Sequence, residues 1–118
     1  MKYLFLLYGR PKGKDPEPGS DAWMETLRAY EAADAAMVEA GVMIECEPLQ
    51  PAEAATTVRI RNGETLLTDG PAAEIKEQLG GFTLVDCANL DEALKWAATI
   101  PAALHGSVEV RPILEVPS

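Results

Sequence analysis

Hydrophobic positions along the chain change period several times, and each change marks an element. Residues 3–8, YLFLLY, are apolar without a break, so both faces of a strand there carry nonpolar side chains. A strand with one wet face would alternate with polar residues. This strand is expected at the centre of its sheet, with helices on one face. In so small a domain a second subunit is the economical cover for the other. Residues 9–19, GRPKGKDPEPG, lose all periodicity and concentrate Gly, Pro and charge, which predicts a loop. Trp23, Leu27, Tyr30, Met37 and Val38 then recur at helical spacing, with Ser20 or Asp21 as the cap and Gly41 as the end.

Val42–Glu47 predicts a second strand, and residues 48–55, which hold Pro48 and Pro51, predict a loop. Two strand-like runs flank Asn62-Gly63, the pair that most readily forms a two-residue hairpin turn. That hairpin over Thr56–Thr68 sets Arg61 opposite Glu64, a favourable cross-strand pair. Next comes TDGPAAEIKEQLGGF, residues 68–82. Turn chemistry predicts that Asp69-Gly70-Pro71 starts a short helix at Ala72 and that Gly80-Gly81 ends it. Phe82–Asp86 reads as a strand. Asn89 and Glu92 resemble a capping box, followed by the stripe Leu90, Ala93, Leu94, Ala97 and Ile100 before Pro101 stops the helix. Ser107–Val116 reads as the last strand, with Val108 and Val110 alternating with Glu109 and Arg111. Setting aside the inserted hairpin and short helix, the order is βαββαβ. It predicts an α+β, ferredoxin-like fold: an antiparallel sheet with two helices on one face, in one domain over residues 1–118.

The totals narrow the function classes. A chain of 118 residues suits one domain with a real core. The formal net charge of -9 argues against nucleic acid and anionic membrane surfaces as partners, since both favour clustered Lys and Arg. Cys46 and Cys87 are far apart and in no CxxC pair, so they predict reduced thiols in a cytoplasmic protein and no metal site. The apolar run at the start is too short for a signal-peptide core, and no stretch is long enough to span a membrane. The fingerprints GxGxxG, P-loop, GxSxG and HExxH are absent, so no cofactor is expected.

Few residues remain as candidates for chemistry. The single histidine, His105, falls before the last strand and is expected in a loop or interface. Asp69 has two readings. Its carboxylate caps the helix predicted after it, or it faces a pocket as acid, base or hydrogen-bond acceptor, with Glu74 nearby. Asp69 is therefore the candidate catalytic residue. Glu109 and Arg111 share one face of the last strand, either as a solvated ion pair of little energetic weight or as part of a polar cluster lining a cavity. Tyr8 and Arg10, at the end of the first strand, are expected beside them. Tyr8, Arg10, Glu74, Glu109 and Arg111 form the predicted ligand-binding set.

KYLFLLYG, LQPAEAATTVRIRNG, TDGPAAEIKEQLGGF, LDEALKWAATIPAA and SVEVRP come in an order and spacing that resemble the DGPF group of the YCII-related family. The resemblance covers nearly the whole chain. It implies a ferredoxin-like fold that dimerises through its sheets as a dimeric α/β barrel, and a homodimer as the working unit. Members of this group are often encoded beside sigma factors of the extracytoplasmic-function class, which implies a regulatory or interaction module as the alternative to a small-molecule-binding or acid-base domain. Two departures matter. Ala72 stands where the group's name motif has Phe. Relatives for which catalysis is proposed use a His near the start of the first helix and an Asp just before a Pro after the second; here Ser20–Tyr30 holds no His, and Ile100 precedes Pro101. Neither member of that dyad carries over.

Overall fold

Uninterrupted apolar sequence at the start of the chain becomes strand β1 (Lys2–Pro11), and everything else is arranged around it. The computed structural model describes residues 1–11, 13–73 and 76–117. After β1 come α1 (Asp21–Glu39), β2 (Met43–Pro48) and a single 3-10 turn over Ala52–Ala54. Then follow β3 (Thr56–Arg61), β4 (Glu64–Asp69), β5 (Glu77–Asp86), α2 (Leu90–Ala97), α3 (Ala102–His105) and β6 (Ser107–Pro112). Four strands form one sheet in the order β2-β5-β1-β6, and β3 and β4 form a separate two-stranded sheet. Every neighbour in the large sheet is antiparallel, the ferredoxin-like arrangement that the βαββαβ order predicts.

Alternation along β1 divides its side chains between two environments. Tyr3 and Phe5 point to the helices and are buried with Val85, Met37, Ala93, Ala97 and Ile100, while Leu7, Val108 and Val110 pack against that cluster. Leu4, Leu6 and Tyr8 fall on the opposite face, with Leu84 paired to Leu4 and Phe82 paired to Leu6. All five are only half-buried, and no helix covers them. We call this the open face.

The helices are built as the sequence predicts, with one rotation. Ser20 Oγ accepts from the Trp23 amide at 3.2 Å and Asn89 Oδ1 accepts from the Glu92 amide at 2.9 Å. Replacing Asn89 by Ala is expected to cost about 1 kcal/mol, read as a lowered urea midpoint with an unchanged slope. In α2 the buried stripe is Ala93 and Ala97, continued by Ile100, whereas Leu90 and Leu94 are exposed. Small residues let the helix approach the sheet closely, so the large ones turn outward. On α1, Trp23, Leu27 and Val38 are likewise exposed, and Ala33 and Met37 are the buried residues.

The hairpin is as predicted, with Arg61 opposite Glu64 and φ angles of 54° and 76° at Asn62 and Gly63. The helix expected after it is not there. Among the described residues β4 runs to Asp69, a bend follows, and Glu77–Asp86 is strand. Gly80-Gly81 thus lies inside β5 rather than at a helix end. The cause is tertiary. β1 extends to Pro11, past the predicted loop boundary, and pairs with β5 as far as Glu77. The register shifts at Gly80, where Leu7 faces Gly81 and Tyr8 faces Leu79, a bulge for which glycine is suited. A Cβ on Gly81 would come within 2.8 Å of the Glu47 carbonyl oxygen, so β2 can lie this close only against glycine. The last strand is also shorter than expected and ends at Pro112.

Candidate functional site

The bend between β4 and β5 has a consequence for the surface. Gly70, at a φ of 98°, reverses the chain, and its amide donates to the Ala55 carbonyl at 2.8 Å. This closes the root of the hairpin. Thr57 Oγ1 donates to the Gly70 carbonyl at 2.7 Å and Arg59 Nη2 to the Ala72 carbonyl at 3.3 Å, so one face of the hairpin holds residues 70–72. Pro71, Ala72 and Ala73 then form one wall of a groove, and the 3-10 turn with Pro51 and Ala55 forms the other. Tyr8, Glu77 and Leu79 complete it from the large sheet. Its volume is about 950 Å³, within the range that holds a small molecule.

The lining is mostly apolar, with a few polar groups that could orient a ligand. Among the described residues the Tyr8 hydroxyl makes no hydrogen bond. The Glu77 carboxylate accepts from Ser107 Oγ at 2.5 Å, across the end of β1. Ala72 leaves room at the wall. A Phe at that position would fill part of the space that the groove now offers.

A second hollow of about 490 Å³ lies on the helical side, between Ala40 and Val42 on one side and Lys95 and Trp96 of α2 with Thr99 just beyond it on the other. It is smaller and shallower, and none of the predicted site residues lines it. The groove is the better candidate.

The predicted residues are distributed as follows. Tyr8 is in the groove. Asp69 is exposed at the end of β4, paired in register with Thr56, and its neighbours Gly70 and Pro71 line the groove while its own side chain does not. Among the described residues no helix follows for it to cap. Glu74 lies outside the described residues. Glu109 and Arg111 are opposite Leu6 and Leu4 on the open face, so they follow Tyr8 along the sheet in steps of about 7 Å. Glu109 Oε2 is 2.5 Å from Arg111 Nη2, a contact close enough for an ion pair but not aligned as a hydrogen bond, and that oxygen is shut off from solvent. Arg10 turns elsewhere: its Nη2 meets His105 Nδ1 at 3.0 Å. A guanidinium can only donate, so Nδ1 is the accepting atom of this contact. The structure therefore gathers Tyr8 with Glu77 and Leu79, sets Glu109 and Arg111 further along the same face, and leaves Asp69 at the rim.

Sequence reasoning missed the wall built from residues 49–55 and the roles of Glu77 and Leu79. The proline pair in residues 48–55 was the available signal, because prolines stiffen a loop enough to serve as a wall.

Neither thiol is placed for nucleophilic work. Burial pushes the Cys46 thiol up, and Asp34, Glu47 and Glu45 add to it; burial likewise raises Cys87, with Glu92 and Asp86 adding. Both should react with iodoacetamide at pH 7.5 far more slowly than the same thiols in urea, and comparable rates in the two conditions would contradict the burial. Among the described residues no group of three or more His, Cys, Asp or Glu is placed to hold a metal ion. No helix among them is long and apolar enough to cross a membrane.

Comparison with known proteins agrees with this architecture. The profile of the YCII-related domain matches residues 1–117. An uncharacterized protein of Rhizobium meliloti strain 1021 is 42% identical over 120 residues, covering 96% of this chain and 92% of that one. A solved structure of 5-chloro-2-hydroxyhydroquinone dehydrochlorinase from Burkholderia phenoliruptrix AC1100, in complex with 2,5-dihydroxybenzoquinone, aligns over 98% of this chain and 96% of that one. The TM-score is 0.50 and the identity 17%, so the likeness is one of fold.

Proposed function

The chain belongs to the YCII-related domain family, and from that premise we propose that it is a cytoplasmic homodimer that binds a small, largely apolar molecule in the groove between the hairpin root and the open sheet face. The observation that carries the reading is the groove itself. It has an apolar lining, a free Tyr8 hydroxyl and a carboxylate at Glu77, the balance of many apolar and few oriented polar groups that small-molecule sites share. The fold neighbour was solved with 2,5-dihydroxybenzoquinone, so a small planar hydroxylated ring is a ligand class compatible with this fold.

The dimer half of the proposal rests on the open face. Leu4, Leu6, Phe82 and Leu84 form an apolar stripe, and the Glu109–Arg111 pair beside it would gain partners under a second copy. Leu6→Glu puts a charge at the middle of that stripe. Sedimentation at micromolar concentration should show a dimer for the parent and a monomer for this variant. A monomeric parent would remove this half of the proposal.

Binding is tested by titrating the ¹⁵N-labelled protein with 2,5-dihydroxybenzoquinone and a set of hydroxylated aromatic fragments. Shifts confined to Tyr8, Ala72, Leu79 and their neighbours are expected. Leu79→Trp should abolish them by filling the groove while leaving the rest of the spectrum in place. If no fragment shifts these residues, the groove reading fails. Acid-base chemistry without a cofactor would need a carboxylate at the reacting atom, and Asp69 is the candidate, at the rim. Should Asp69→Asn turn over a bound compound at the parental rate, that role is excluded.

A second reading has one specific observation behind it. Ser20–Tyr30 lacks His and Ile100 precedes Pro101, so the dyad of proposed catalytic relatives is missing. On this reading the protein is a non-catalytic interaction module linked to an extracytoplasmic-function sigma-factor pathway. Failure to co-purify a sigma factor under conditions where the groove binds fragments would exclude it.

A further inference from the structure

The β3–β4 hairpin stands apart from the large sheet, and its two faces differ sharply. Register puts Thr57, Arg59, Arg61, Glu64, Leu66 and Thr68 on one face. Thr57 and Arg59 of that face bond the chain's own residues 70 and 72. The other face carries Val58 opposite Leu67 and Ile60 opposite Thr65. Among the described residues nothing covers it: Val58, Ile60 and Leu67 are 60%, 65% and 69% exposed. A two-stranded hairpin in water is marginal without packing on something else, and three large aliphatics facing solvent add to that cost. The molecule is also extended, 48 × 47 × 18 Å, with a radius of gyration of 16.2 Å. A compact chain of this length would have a radius of about 13.5 Å.

The size of the open face bears on what covers the hairpin. Strands of ten, six, ten and six residues, about 4.8 Å apart and rising about 3.3 Å per residue, give the face a plan area of about 500 Å². A stable interface buries about 800 Å² on each partner. The open face alone is about two thirds of that. A dimer through it therefore needs a further surface, and the root of the hairpin borders the same groove as Tyr8 and Leu79 of the open face. We propose that the hairpin is a clasp whose bare face, formed by Val58, Ile60 and Leu67, packs on a second copy of this chain and completes the dimer interface begun by the sheet. This rests on the homodimer reading above. The occupant is a second copy because the face is apolar and short of charge, and because the sheet contact lacks the area that the clasp supplies.

The test compares the full-length parent with Val58→Glu/Leu67→Glu and Leu6→Glu by sedimentation equilibrium, with circular dichroism as the check on folding. A benzophenone amino acid replacing Ile60 supplies a second, independent measurement. The clasp variant should keep its dichroism and raise the dimer Kd at least tenfold, and irradiation should join two copies covalently. A Kd within twofold of the parent, or cross-links that stay within one chain or reach only a different protein, overturns the clasp. A parent that is monomeric overturns the clasp and the sheet dimer together. If Leu6→Glu dissociates the dimer and the clasp variant does not, the sheet dimer stands and the clasp falls. The reverse pattern supports the clasp and removes the sheet face.

Discussion

Gly106→Ala should cost about 3 kcal/mol or more, the upper end of what overpacking a tight site does. Gly106 joins α3 to β6, and its amide donates to the Ala102 carbonyl at 2.8 Å. A Cβ there would fall 2.1 Å from the Tyr8 carbonyl oxygen and 2.8 Å from that of Gly9. Both obstacles are backbone, so no rotamer change relieves them. Either β1 or the α3–β6 junction must move by more than 1 Å, and the Tyr8–Ser107 pairing loosens with it. Native domains are stable by only about 5–15 kcal/mol, so a loss of this size lowers the thermal midpoint by roughly 10 °C or more. Equilibrium denaturation in urea measures it. A variant within 1 kcal/mol of the parent would show that the junction has slack that the backbone contacts deny.

Phe5→Ala is the second large effect, expected at about 3–5 kcal/mol. Phe5 is fully buried, between Thr83 on one side and Val110 on the other, at the middle of the core cluster. Its neighbour Leu6 gives the control, because it occupies the other face of the same strand and is half-buried. Measured at concentrations where any dimer has dissociated, Leu6→Ala should cost less than half as much. Equal costs for the two would mean that the strand has no open face in the single chain.

The sequence was readable wherever a local rule agreed with the tertiary structure. Asn62-Gly63 dictates its own turn, and Ser20 and Asn89 cap whatever helix follows them, so those elements were correctly placed. The βαββαβ order followed from them. Reading failed at residues 72–81, where Asp-Gly-Pro and Gly-Gly carry strong local signals for a capped helix. The winning interaction there is non-local: the second half of β1 pairs with Glu77–Gly81, seventy positions away, and no window of the sequence contains both partners. The same error hid the groove. With a helix expected after Pro71, the chain from Pro71 to Ala73 could not be seen as a wall, and Leu79 could not be seen as part of a strand floor. Tyr8 lines the groove from a strand whose alternation is simple to read. Arg10 was misplaced because its contact is with His105, ninety-five positions further on.

The position of β1 at the centre of the sheet also governs how the protein comes into being. Its partners are residues 77–86 and 107–112, so the strand made first in this domain waits for the strand made last before both its edges are paired. At about 5–20 residues per second, the roughly 70 residues that separate YLFLLY from its first strand partner take about 4–14 s to make, and the second edge waits about 30 residues more. A nascent chain arrested before residue 77 exposes an apolar segment with both strand edges unpaired, the state most prone to aggregate and most readily held by a chaperone. Completion of this sheet is thus timed by the emergence of β6 rather than by the appearance of β1.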